Sequence, residues 1–197
     1  MTTIVSIVEG DGEVAALPVL LRRVGEWLSP GEYFNILHPI RVHRDQFLNR
    51  QDIFSRQIQL GALKCSAQGW LLIVLDADND CPSELASNIL DRVKAIAPHV
   101  RVSVVLPKYE FEAWFIAAAA SIDGKRGFRN DVRIHDAEAI RGAKEWLSER
   151  IQNGRYREVL DQPAFSACMD LQLARDNSRS FRKLCSEWEK NLVGVDF

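Results

Sequence analysis

Apolar positions in the first half of the chain switch repeatedly between unbroken runs and a helical period. "TTIVSIVEG" is a short apolar run that stops at Glu9, and "GDGE" then turns the chain. Beyond it Val14, Leu17, Leu20, Leu21, Val24, Trp27 and Leu28 recur at helical spacing, which predicts a strand followed by a helix ending at "SPGE". A second strand is expected within "YFNILHPIRV" and a helix from about Asn49 to Lys64. Leu71 to Leu75 is short, rich in branched residues and continuous, as in a strand buried on both faces. Leu85, Ile89, Val93 and Ile96 mark one face of the next helix, and "HVRVSVVLP" is the fourth strand. Strands alternating with helices predict an α/β fold: a parallel four-stranded sheet flanked by helices, joined by right-handed crossovers. Near residue 110, in "KYEFEAWFIAAAA", a helix begins and the strand signal then disappears. Ile140, Ala143, Leu147 and Ile151, then Phe181, Leu184, Trp188 and Leu192, predict further helices. Residues 1–122 are therefore expected to form the α/β core and residues 123–197 a small helical C-terminal extension packed on it.

The third strand runs into acid. In "WLLIVLDADNDCP" three carboxylates, Asp76, Asp78 and Asp80, stand two apart just past the apolar run. Ligands bind at the carboxyl ends of strands in open parallel sheets, and carboxylates crowded there are relieved by protonation, a basic partner or a cation. An Asp-rich turn capping the next helix, with Ser83 as N-cap and Glu84 in its first turn, accounts for the same residues without a ligand. The first strand ends at Glu9, with Asp11 and Glu13 beyond, and the fourth is followed by Glu110 and Glu112. A parallel topology brings these ends to one edge, where Glu9, Asp76 and Asp78 could face one pocket as half of a metal site. Glu9 reads equally as a favourable acid at a helix start, and for Glu110 and Glu112, in the first turn of the helix near 110, that reading is favoured over a ligand role. All-oxygen ligands without clustered Cys or His favour Mg²⁺ or Mn²⁺ over Zn²⁺. A pair of such ions can polarise a phosphodiester, generate hydroxide near neutral pH and stabilise the leaving oxygen.

Composition narrows the partners. With 47% hydrophobic and 26% charged residues and a formal net charge of -2, the chain is globular and not coated in basic surface. Nucleic acid would have to be met by local patches. Lys108, past the fourth strand, is expected at the acidic edge as a phosphate contact, and Arg41, His43 and Arg44 along one wall. In "ARDNSRSFRK" Arg175, Arg179 and Arg182 could share a helical face, although a solvated basic face reads the same way. His38, His43, His99 and His135 have no ligand spacing. Cys65, Cys81, Cys168 and Cys185 form no CxxC pair, and no N-terminal segment combines basic residues with a secretory apolar core. Reduced thiols in a cytoplasm are expected, and no apolar run approaches the roughly 20 residues of a membrane span.

Glu9-Gly10 at the end of one strand and Asp76-Ala77-Asp78 after a later parallel strand resemble the Toprim domain of topoisomerases, primases and OLD-family nucleases. The fuller set "VEGDGE", "VLDADND", "YEFEAWF", "LDQPAF" and "NSRSFRKL" is similar to small stand-alone prokaryotic Toprim-like proteins, mostly of unknown function, some associated with anti-phage defence. The resemblance covers nearly the whole chain. It implies Glu9 as metal ligand or general acid/base, Asp76 and Asp78 as metal ligands, and Asp80 as an outer acid; Glu112 is a further candidate ligand by its place after the fourth strand alone. No topoisomerase tyrosine arrangement is matched. OLD-type nucleases carry an ATPase domain, whereas this chain has no GxxxxGK[ST], so an ATPase would be a separate protein. The resulting expectation is an Mg²⁺- or Mn²⁺-dependent nuclease acting on DNA or RNA, an anti-phage effector with a separate ATPase and a homodimer among its compatible partners. The alternative is a non-catalytic Toprim-like module working with that ATPase. A phosphatase of the haloacid-dehalogenase type shares the hhhhDxD segment, but Asn79-Asp80 stands where Gly and Thr or Val belong, and Glu9 would go unexplained.

Overall fold

The computed structural model describes residues 1–65, 68–152 and 154–192, so the last five residues of the expected C-terminal extension, 193–197, lie outside it. Five strands form one sheet: β1 (Thr2–Val8), β2 (Phe34–Ile36), β3 (Ile40–Arg41), β4 (Trp70–Val74) and β5 (Arg101–Val105). The order is β2-β1-β4-β5, β3 pairs with β1 beyond β2, and every pairing is parallel. The expected second strand is thus two pieces. Pro39 has no N–H for the ladder and restricts His38 before it, so pairing lapses after Ile36 and resumes at Ile40.

Period 2 explains the unbroken apolar runs. Ile4, Val8, Trp70, Leu72 and Val74 enter one core, and Val5, Ile7, Leu71, Ile73 and Leu75 enter the other. Helices α2 (Arg44–Asn49), α3 (Gln51–Cys65) and α4 (Pro82–Ile96) cover the second face, α3 starting close to where the helical period places it. The first face is covered by α1 (Asp11–Leu28) and by the C-terminal helices, α5 (Ala113–Ala117), α6 (Ala143–Glu149), α7 (Glu158–Cys168), α8 (Leu171–Asn177) and α9 (Arg179–Leu192). The helix expected from residue 110 starts three residues later, after a turn in which Ala113 N–H donates to the Glu110 carbonyl.

The C-terminal helices share one core with the sheet. Trp188 of α9 meets Phe34 at 4.9 Å and Trp70 at 5.9 Å, edge to face, and its indole N–H donates to Ser29 Oγ at 3.0 Å. Helix α7 lies along α1, and no side chain separates them at Gly12. A Cβ there would stand 2.3 Å from Gln162 Oε1 and 3.1 Å from the Glu158 carbonyl carbon. Gln162 is buried and donates to Glu112, so it has no room to retreat. Gly12→Ala is expected to cost about 1–3 kcal/mol through overpacking, read as a lowered urea midpoint. An unchanged midpoint would mean that α7 slides freely on α1.

Candidate active site

Strands β1 and β4 are parallel neighbours, with Ile7 opposite Ile73, so Glu9 and Asp76 leave the sheet at the same edge. The next strand, β5, delivers Glu110 and Glu112 to that edge, and Ala77 N–H donates to the Pro107 carbonyl at 2.9 Å, tying the two loops together. Glu9 engages the scaffold with its backbone: its N–H donates to Glu13 Oε2 at 2.9 Å and its carbonyl accepts from Arg41 Nε at 3.2 Å. Asp76 accepts from Arg44 Nε through its carbonyl at 2.8 Å. Among the described residues, neither carboxylate accepts a hydrogen bond.

Neighbouring acids are held differently. Glu13 reaches back over the start of α1 to accept from Glu9 and Gly10, a capping arrangement that buries its carboxylate. Asp78 takes a left-handed backbone, φ 49°, and its carboxylate faces Arg44 at 3.4 Å. Asp80 pairs with the same guanidinium at 2.5 Å. Arg44 is therefore the brace of this loop, bonded to the Asp76 and Ala77 carbonyls and paired with Asp78 and Asp80, with Asp45 also at 3.7 Å, and is not a free phosphate contact. Glu110 caps α6, accepting from Ala143 and Lys144 N–H at 3.2 Å each.

Glu112 is fully buried. Its Oε1 accepts from Tyr156 Oη at 3.0 Å and Gln162 Nε2 at 2.7 Å, while Oε2 has no partner among the described residues. Burial pushes its pKa up to about 7. Burial, then the charges of Glu13 and Glu112, hold the Asp76 carboxyl well above its ordinary range. Burial, with Glu13 and Asp78, raises Glu9 as well. Lys144 is the cation that acts on Glu9, Glu13, Asp76 and Glu112 alike. Burial pulls its ammonium down, but Glu112 and Glu158, the latter at 3.2 Å, keep its pKa above that of an ordinary lysine.

The expected ligand set does not form a single cage. Among the described residues, no three His, Cys, Asp or Glu side chains are gathered to hold a metal ion, and Asp78, Asp80 and Glu112 are engaged elsewhere. Glu9 and Asp76 still fit Mg²⁺ or Mn²⁺: hard oxygen donors, free of hydrogen bonds among the described residues, at an edge where ionisation is penalised. Mg²⁺ is usually held by one or two carboxylates, the rest being water and substrate phosphate.

The basic residues are redistributed. Arg175 lies on α8, paired with Glu189 at 3.1 Å, and so does not share a face with Arg179 and Arg182 on α9. Arg182 donates to the Arg175 and Asp176 carbonyls and ties α9 to α8. Lys108 and Arg179 line a separate cavity beyond the acidic loop. Sequence reasoning missed Lys144, Tyr156 and Gln162, since no local pattern marks residues brought in by helices formed far along the chain.

A family model described as Domain of unknown function (DUF4276) matches residues 8–189. No curated protein and no solved structure matches the chain.

Proposed function

The chain belongs to the DUF4276 family, and we propose that it is a metal-dependent phosphodiesterase acting on DNA or RNA. One observation carries the reading: Glu9 and Asp76 follow adjacent parallel strands, their carboxylates accept no hydrogen bond among the described residues, and burial and Glu13 oppose their ionisation. Such a pair is stabilised by a cation. Asp76 and Glu9 would hold Mg²⁺ or Mn²⁺, and Asp78 could join only by leaving Arg44. When bound, such an ion polarises the phosphoryl group and lowers the pKa of its water. The chain's own part is positional. Lys144 offers a positive charge for a phosphate oxygen, held in place by Glu158 and by the Glu110 cap on its helix. Arg44 keeps the Asp76–Asp80 loop in one conformation. The likeness of Glu9-Gly10 and Asp76-Ala77-Asp78 to Toprim sites supports the same chemistry, and a defence role with a separate ATPase belongs to the same proposal.

The engagement of Asp78 with Arg44 favours a second reading, a binding module without turnover. Incubation with plasmid, single-stranded DNA and RNA under Mg²⁺ or Mn²⁺, beside Glu9→Ala, separates the two. Cleavage lost in Glu9→Ala supports the enzyme. Inactivity of the wild type, alone and with an ATPase encoded beside it, supports the module. Metal binding is checked independently: millimolar Mg²⁺ or Mn²⁺ should raise the melting temperature, because binding to the folded state alone stabilises it by RT ln(1 + [L]/Kd), and Asp76→Asn should remove that rise. Equal shifts in both proteins would place the ion elsewhere.

A further inference from the structure

Past the acidic loop, where β5 meets the starts of α4 and α9, lies a cavity of about 460 Å³. Its apolar wall is Val104, Leu106 and Ala86, and its polar rim carries Lys108, Arg179 and Lys183. The three cations come from two distant segments. Lys108 follows β5, while Arg179 and Lys183 stand i, i+4 on the first turns of α9 and so project from one face. Among the described residues, Lys108 and Arg179 have no ion pair, and Lys183 pairs with Glu187 at 2.6 Å. The one acid on the wall, Glu138, is buried and accepts from Ser178 Oγ and Ser180 N–H at 2.7 Å each, so it serves as the cap of α9.

The cavity is joined to the acidic edge by a basic track. Lys108 Nζ lies 5.4 Å from the Tyr109 ring centre and Arg141 stacks on that ring at 4.6 Å. The Arg141 guanidinium donates to Asn79 Oδ1 at 2.7 Å, inside the loop that carries Asp76. An apolar wall under a cationic rim, with a volume in the range of small-ligand sites, suits a planar base bearing a phosphate. Cationic grooves with platforms for bases are how single strands are held without sequence preference.

We infer that this cavity is a nucleotide subsite: it takes one nucleotide of a single-stranded stretch beside the phosphodiester held at Glu9 and Asp76. The base lies over Val104 and Leu106, the phosphate meets Lys108 and Arg179, and Arg141 with Tyr109 carries the strand between the two places. The inference rests on the phosphodiesterase reading for the neighbouring site, and its test needs neither metal nor turnover.

The first measurement is anisotropy of a dye-labelled ten-residue oligodeoxythymidylate in EDTA. The double variant Lys108→Glu, Arg179→Glu should weaken binding tenfold or more and flatten the plot of log K against log[salt] by about 0.7, for the one single-strand phosphate that the two side chains hold. The second needs no substitution. Cys81 is an exposed thiol on the cavity wall, whereas Cys65 and Cys185 are buried. The oligonucleotide, and thymidine monophosphate at millimolar concentration, should slow its alkylation severalfold, and inorganic phosphate at the same concentration should not. Unchanged oligonucleotide binding in the double variant, unprotected Cys81, or equal protection by inorganic phosphate would overturn the subsite. Binding with these signatures but no cleavage under Mn²⁺ would sink the phosphodiesterase reading instead. Asp76-dependent cleavage at wild-type KM in the double variant would sink the subsite alone.

Discussion

Asp76→Ala is expected to lower phosphodiester cleavage by ~100-fold or more while leaving oligonucleotide affinity within roughly twofold. The separation follows from where the charges sit. Asp76 follows β4 at the acidic edge, whereas Lys108 and Arg179, without an ion pair among the described residues, line the neighbouring cavity. Even residues that only orient a metal ligand cost ~10–100-fold when replaced, so loss of the ligand itself should reach at least the upper end. Affinity for a polyanion comes from basic residues through counterion release, to which a half-buried carboxylate contributes nothing. The measurement is single-turnover cleavage under Mn²⁺ beside anisotropy in EDTA. Full cleavage by Asp76→Ala would point to another site or a contaminant, and parallel loss of binding and cleavage would mean that the substitution had collapsed the loop braced by Arg44.

The second large effect is on stability, and it runs opposite to the usual acid denaturation. The pKa of Glu112 is about 7 in the folded protein, up from an ordinary 4.5, because burial disfavours its charged form. The folded state therefore binds this proton more tightly than the unfolded state. At pH below about 4.5 the group is neutral in both states and costs nothing. As pH rises from there through about 7, the unfolded chain ionises first and stability falls, reaching a loss on the order of 3 kcal/mol at 1.36 kcal/mol per unit. Asp76, Glu9 and Glu13 are raised too and add to the same downward slope. Urea titrations in EDTA from pH 5 to pH 8 should show the wild type losing stability, and Glu112→Gln losing markedly less. The glutamine keeps an oxygen for Tyr156 and Gln162 and carries no charge to desolvate. Identical slopes in the two proteins would assign the pH dependence to other carboxyls.

Both expectations depend on one pocket, and the sequence reveals its parts unevenly. Alternating strands and helices, the acid after "TTIVSIV" and the acids after "WLLIV" are local patterns. Parallel strand direction then places Glu9 and Asp76 at one edge, because the strands of a parallel sheet all end on the same side. The split of the second strand at Pro39 went unread, because a hydrophobic run shows where a strand lies and not where its ladder is interrupted. Local pattern is silent on which acids remain free. Glu13, Asp78, Asp80 and Glu110 look like Glu9 and Asp76 in the sequence, yet the first caps α1, the next two pair with Arg44 and the last caps α6. The partners of Glu112, Tyr156 and Gln162, lie 44 and 50 residues away, and Lys144 reaches the pocket only because α6 begins against the β5 loop. The sequence by itself determined the sheet, its two buried faces and the edge where acid gathers, since these follow from period, turn chemistry and handedness. Which carboxylates stay unpaired, which cation faces them and where the basic cavity opens were decided only by tertiary packing, because hydrogen bonds and charges are settled by neighbours in space.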